Sequence, residues 1–272
     1  MRASALVPLL LAIGCTPDFS EGRNAPDGVV DDDTVGGDTS DGEDEVDPAD
    51  FDGATLAIVS PADGAFLPLG ETVTFAAELL DADGAPMDYA DITWTTSIDA
   101  DWSAVGAVAD LDDLPIGQNT FRATAILPNG DQVTDAVGGV LVQHEDAGVY
   151  AGNMILDATG EYEGTPITTS CVGGAVITID AWGETATGSS TCVLSLLGFN
   201  QEATHVFDLD LSEGDLTGSA SIDLGFVGVD FDAEGAVSDG SLEAEWADNL
   251  YGFVELDGTL EVERVTRSVT GE

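Results

Sequence analysis

Apolar residues recur at every second position along much of this chain, and that spacing admits one kind of backbone. Val73, Phe75, Ala77 and Leu79 alternate with polar neighbours, as do Phe121, Ala123, Ala125 and Leu127. So do His205, Phe207, Leu209 and Leu211, then Val227, Val229 and Phe231, then Leu242, Ala244 and Trp246. Successive side chains of an extended strand point to opposite faces, so this period of two describes strands with one face buried. Between the runs stand Asp81-Ala82-Asp83-Gly84, Pro128-Asn129-Gly130-Asp131, Ser212-Glu213-Gly214-Asp215 and Ser238-Asp239-Gly240. Gly and Asn tolerate positive φ, and Asp bonds its own turn backbone, so these are tight turns. The expectation is an all-β, antiparallel protein.

The alternation falls into two blocks. Strands near 55–59, 72–79, 91–97, 105–111, 119–127 and 132–142 predict a sandwich of about seven strands, once a short one is allowed, over residues 54–143. Trp94 belongs to its core. After the short joint "QHEDAG" the pattern restarts at "GVYAGNMILDATGEYEG" and runs on at spacings of roughly 8–12 residues. This predicts an antiparallel meander over 146–267, closed as a small up-and-down barrel or curved as a sandwich so that edges are hidden. Residues 268–272 are a tail.

The first block resembles bacterial immunoglobulin-like domains of surface proteins through "SPADGAFLPLGETVTF", "ITWTTSID" and "LPIGQNTFRATAILPNGD". Its matching motifs are structural, so what it implies is the fold. The "GVY" opening of the second block resembles the Gly-x-Trp start of lipocalins, with Tyr150 in place of Trp. A barrel of this size is expected to be filled by its own side chains, the alternative being a small apolar ligand inside.

Charge narrows the partners. The 272 residues carry 53 Asp+Glu against 5 Lys+Arg, a formal net charge of −48, and every one of the five cations is an arginine. Such a surface repels phosphate backbones and anionic lipid headgroups, which excludes nucleic acid and electrostatic membrane binding. It attracts cations and basic partners.

"LLLAIGCTPDF", Leu9 to Phe19, is a short greasy run that stops at a cysteine. Arg2 precedes it, and the apolar stretch from Ala5 to Ile13 is too short to span a bilayer, which takes about 20 residues. The stretch resembles the lipobox of bacterial lipoproteins, with Gly14 before Cys15, Ala12 where the family has Leu, and Leu11 one place earlier. The resemblance implies a signal peptide over 1–14, cleavage before Cys15 and acylation of its thiol. Thr16 in place of Asp implies outer-membrane delivery, facing the periplasm or the exterior. Residues 15–53 then form an acidic tether, "DGVVDDDTVGGDTSDGEDEVDPADFDG", with too little to bury to fold and enough repulsion to stay extended.

The three cysteines fit this compartment. With Cys15 acylated, Cys171 and Cys192 remain as a disulfide pair on neighbouring strands. Chemistry is harder to place. There is no Gly-x-Ser-x-Gly elbow, His-Glu-x-x-His, Cys-x-x-Cys or phosphate-cradling Gly loop. In a sandwich the turns holding Asp81, Asp83 and Asp88 share an end with Asp131, a candidate oxygen set for calcium. Asp99 and Asp101 with Asp112 and Asp113 make a second such group at the other end. Trp102, in "DADWSAV", is a candidate for stacking on a sugar or peptide. His144 in the joint is expected to be solvated, and His205 to be a hydrogen-bonded core or rim histidine. Paired carboxylates for glycoside cleavage are too numerous to single out. The leading functional expectation is a non-enzymatic, envelope-anchored lipoprotein that binds or scaffolds an extracellular protein or polysaccharide, without a cofactor other than calcium. The alternatives are a small-ligand or carbohydrate binder using the C-terminal block, and an acidic-site hydrolase.

Overall fold

The computed structural model describes residues 47–88, 91–196, 198–225, 227–250 and 252–268. Arg2, Arg23, the signal segment with Cys15, the acidic run up to residue 46 and the tail from 269 lie outside the described residues. Residues Val46–Glu272 form one compact unit.

The described structure includes ordered backbone before Ala54, from Asp47 to Phe51. The Asp47 carboxylate accepts the Ala49 N–H at 3.0 Å, and Pro48 opens a 3-10 helix, Pro48–Phe51. Phe51 is buried in the sandwich core. The acidic composition of the segment hides this anchor, because one aromatic outweighs its charged neighbours once it has a core to enter.

Nine strands follow: β1 (Thr55–Ser60), β2 (Phe66–Pro68), β3 (Val73–Leu80), β4 (Pro86–Met87), β5 (Ile92–Thr96), β6 (Ser103–Val105), β7 (Val108–Leu111), β8 (Gly117–Ile126) and β9 (Gln132–Gln143). One sheet holds β1, β3, β4 and β7, and the other runs β2-β9-β8-β5-β6. Five of the six expected strands are present, and the one expected over 105–111 is split, Val105 ending β6 in one sheet and Val108–Leu111 forming β7 in the other. The additions are β2, β4 and β6, of two or three residues, too short to show a period. β2 pairs parallel with β9, and every other pairing is antiparallel. The two sheets enclose one core, centred on Phe75, Trp94 and Phe121. Phe75 meets Trp94 edge-on at 5.2 Å and Phe121 at 4.9 Å. The Trp94 indole donates to the Gly106 carbonyl at 2.9 Å, so its polar atom is satisfied.

The second block closes into an eight-stranded antiparallel barrel: β10 (Gly148–Tyr162), β11 (Thr165–Ile179), β12 (Thr185–Leu196), β13 (Phe199–Ser212), β14 (Asp215–Asp223), β15 (Gly228–Ser238), β16 (Ser241–Leu250) and β17 (Val254–Thr266). Each strand pairs with the next, and β17 returns to β10, so no edge is left over. Leucine, isoleucine, alanine and aromatic side chains fill the inside as one continuous cluster from Tyr150 to Val262. The filled lumen is the outcome the alternation predicts. Acids face outward, among them Asp208, Asp210, Asp232, Glu234, Glu243 and Glu245.

The ladder between β11 and β12 runs from Ile179↔Ala186 only to Gly174↔Thr191. Beyond it, Cys171 and Cys192 are joined by the expected disulfide, with Cα atoms 5.7 Å apart. The covalent bond takes over the seam where this backbone pairing stops.

Candidate functional site

Asp81 is used inside its own turn, where Oδ1 accepts the N–H groups of Asp83 and Ala85 at 2.9 and 2.8 Å. Asp131 accepts the Asn129 side-chain amide at 3.0 Å. Asp83 and Asp88 are exposed. Among the described residues, no group of three or more His, Cys, Asp or Glu side chains is placed to hold a metal ion. Trp102 is half-buried, packed on Phe121 at 5.6 Å and Phe75 at 6.5 Å, with its indole nitrogen donating to the Asp113 carbonyl at 3.2 Å. A ring held this way is packed against the core rather than standing free as a platform.

The two histidines differ from expectation. His205 lies fully inside the barrel, directly across from Ser190 on β12, with Trp246 at 6.0 Å between ring centroids. It is a core residue but not a satisfied one. Its nitrogens make no well-formed hydrogen bond, only a weak approach to the Ser190 backbone, and the Ser190 hydroxyl and the Trp246 indole nitrogen have no partner. Burial pushes its pKa down from 6.5 to about 4, against a smaller upward pull from the Ser190 backbone, so the ring is neutral at pH 7. His144, expected in solvent, is half-buried over Gly183. A β-carbon at Gly183 would fall 2.3 Å from the imidazole Cγ, so only glycine lets the ring settle there.

His144 opens onto a cleft of about 630 Å³ at the end of the barrel where the chain enters. Antiparallel winding brings three things to that end: the joint at 144–147, the hairpin tips, and the end of β17. Glu213-Gly214 and Asp239-Gly240 are two-residue tips with both residues at positive φ, the twist that suits a tight hairpin. They bring Glu213 and Asp239 into the lining of the cleft. From β17 and just beyond it come Arg264 and Arg267.

The two guanidiniums converge on a single atom. Arg264 Nη1 donates to the Glu145 carbonyl oxygen at 2.5 Å, and Arg267 Nη1 donates to the same oxygen at 2.9 Å. Arg267 lies over the Phe66 ring at 4.3 Å, and Arg264 over the Tyr150 ring at 5.9 Å. The buried Gln143 amide ties the floor by donating to the carbonyls of Ala147 at 3.1 Å and Arg267 at 2.5 Å. The Tyr150 hydroxyl donates to the Asp146 carbonyl at 2.7 Å. Burial raises the Asp146 carboxyl above its usual range. His144 and both arginines pull it back down, while Glu145 adds to the rise. Burial likewise raises the Tyr150 hydroxyl, with Arg264 opposing and Asp146 adding. Among the described residues, the one ion pair is His144 with Asp146, at 3.8 Å. Among the described residues neither arginine has a carboxylate at ion-pair distance, although both act on Asp146.

The sequence holds a signal for this cleft. Two of only five cations stand three residues apart at the end of the last strand. Their convergence with the joint and two distant hairpin tips depends on barrel closure, which no local pattern reveals. Two shallower hollows lie on the outer wall of β15, β16 and β17. One, of about 490 Å³, is rimmed by Glu234, Glu243, Glu245 and Glu261.

No protein family, curated protein or solved structure matches this chain. The fold and the joint cleft therefore define it as an acidic all-β protein with a two-sheet sandwich and a closed, filled barrel.

Proposed function

We propose that the chain is a non-enzymatic, envelope-anchored lipoprotein that presents its β-structures for binding or scaffolding. The observation that carries this reading is the polarity of the barrel. Its lumen is packed with apolar side chains, and its outer wall over β15–β17 is lined by carboxylates, with single apolar residues such as Val172, Val193 and Val206 exposed elsewhere. Membrane barrels have the reverse pattern, with an apolar band facing lipid. No helix among the described residues is long and apolar enough to cross a membrane. In this reading Cys15 is the attachment to the envelope and the acidic run is the spacer. One acyl chain holds a membrane marginally and two or more hold it stably. The strand order supports the immunoglobulin-like reading of the sandwich: β1-β3-β7 and β5-β8-β9 follow the A-B-E and C-F-G orders of that fold. The small-ligand alternative moves from the barrel lumen to the joint cleft, because the lumen is occupied.

The test is mass spectrometry of protein made in its own host, with fractionation of wild type and Cys15→Ser. Cleavage before Cys15, acyl mass on the new N-terminus and release of the serine variant into the soluble fraction support the reading. An intact Met1 or a free Cys15 thiol ends it.

A further inference from the structure

We infer that the joint cleft binds a small zwitterion, of the size of an amino acid or short peptide. Its carboxylate would sit on Arg264 and Arg267, and its ammonium on Glu213 and Asp239. The inference deepens the binding reading but does not depend on the Cys15 anchor.

The placement of cations is the first argument. The chain holds 53 acids and five arginines, and what sets Arg264 and Arg267 apart is that they share one neutral carbonyl oxygen, side by side, with no carboxylate at ion-pair distance among the described residues. Two like charges drawn to one atom repel each other, and a tie across the joint does not need them, since Gln143 already makes one. Each guanidinium has five N–H donors in a planar fork; Arg264 spends donors on the Glu145 carbonyl and the Tyr150 hydroxyl, and Arg267 one on the Glu145 carbonyl, so donors remain on both. The Phe66 and Tyr150 rings hold the forks from the side, so the spare donors are pre-aligned for a carboxylate.

The second argument is the acidic part of the lining. Glu213 and Asp239, at two hairpin tips, line the same cleft, the Asp239-Gly240 tip beside the Arg264 guanidinium, and they form no ion pair with a basic side chain among the described residues. A site with a cationic wall and an anionic rim fits a ligand carrying both charges. The overall charge of −48 selects for the same class. A bare anion works against that field as it approaches, whereas a ligand of zero net charge does not. The volume, about 630 Å³, lies within the range of small-molecule sites, roughly 300–1,000 Å³.

Triglycine is the probe, with N-acetyltriglycine and triglycinamide as analogues that lack one charge each, followed by calorimetric titration of the full chain at low salt. The expected result is saturable binding of triglycine, with each blocked analogue weaker by about tenfold or more, the loss of one charge-assisted contact. Arg264→Gln with Arg267→Gln abolishes binding, and Arg122→Gln leaves it unchanged. Asp239→Asn weakens triglycine until it matches N-acetyltriglycine. If the double arginine variant does not fold, Asp239→Asn, at an exposed tip, decides alone. No triglycine binding at millimolar concentration overturns the inference. So does equal binding of either analogue, or wild-type affinity in Asp239→Asn or in a folded double arginine variant.

Discussion

Trp246 on β16 lies directly across from Gly258 on β17, and its indole fills the space a side chain at 258 would need. A β-carbon there would stand 1.9 Å from Cε2 and 2.2 Å from Cζ2. The largest side chain in the lumen is thus accommodated by the smallest residue on the next strand, the pairing of large with small that lets a narrow barrel fill. Gly258→Ala is expected to cost about 3 kcal/mol or more, since the ring has nowhere to retreat. Urea unfolding measures it. Trp246→Leu in the same chain should return part of the loss, as a coupling of about 1 kcal/mol or more between the two sites. An additive double mutant would mean that the two residues do not compete for that space.

His205 makes acid stability specific to one side chain. Its folded pKa of about 4 lies below the ordinary 6.5, so the unfolded chain takes up a proton that the folded barrel refuses. Stability from this group is therefore intact above pH 6.5 and lost as pH falls toward 4, by about 3 kcal/mol in all. His205→Leu removes the effect along with two nitrogens that make no well-formed hydrogen bond. The variant should be more stable than wild type by about 1 kcal/mol at pH 7.5, and the gap should widen steadily down to pH 4. Taking the difference between the two proteins cancels the many carboxylates that titrate over the same range. A gap that does not change with pH would place a hydrogen-bond partner on the imidazole.

The sequence was legible where a pattern repeats and silent where contacts are singular. The runs at 73–79, 121–127 and 205–211 became β3, β8 and β13 with the expected faces inward. Alternation is a property of each strand by itself, and barrel closure adds no residue to it. Phe51 was missed because it stands alone in an acidic segment, so its burial depends on a core built from distant strands. His205 was placed on the correct face, yet its lack of a well-formed hydrogen bond is decided by Ser190 and Trp246, which sit on other strands. The arginine cleft escaped for the same reason. Arg264 and Arg267 are neighbours in sequence, but Glu145, Glu213 and Asp239 reach them only through the fold.

The disulfide gives a local prediction as well as a global one. Closing the segment between Cys171 and Cys192, 21 residues apart, is worth about 3 kcal/mol in the chain-entropy account. Replacing both cysteines by serine should lower stability by that amount. The local effect follows from the seam, where the β11–β12 ladder stops at Gly174↔Thr191. Hydrogen exchange in the double variant should accelerate first at residues 165–173 and 192–195, before the rest of the barrel responds. Uniform acceleration across all eight strands would show that the seam is held by something other than the covalent bond.

The acidic wall of the barrel should make its stability depend on salt in an unusual direction. Glu234 faces Glu245, Glu243 faces Glu261, and Asp157 faces Asp257, each pair directly opposite on adjacent strands. Like charges so placed destabilise a sheet, and no lysine is present to relieve them. Their repulsion is screened as the Debye length shrinks from about 30 Å at 0.01 M salt to about 10 Å at 0.1 M and about 3 Å at 1 M. The melting temperature should therefore rise with sodium chloride, most steeply at low ionic strength. Glu245→Lys converts a repulsive pair into an attractive one and should raise the melting temperature by about 2 °C at low salt. The same variant should gain less from added salt than wild type does. Calcium and sodium compared at equal ionic strength separate screening from binding, because screening alone gives the two ions the same curve. A melting temperature that stays flat with salt, in wild type and variant alike, would mean that the carboxylates of these rows bend far enough into solvent to avoid one another.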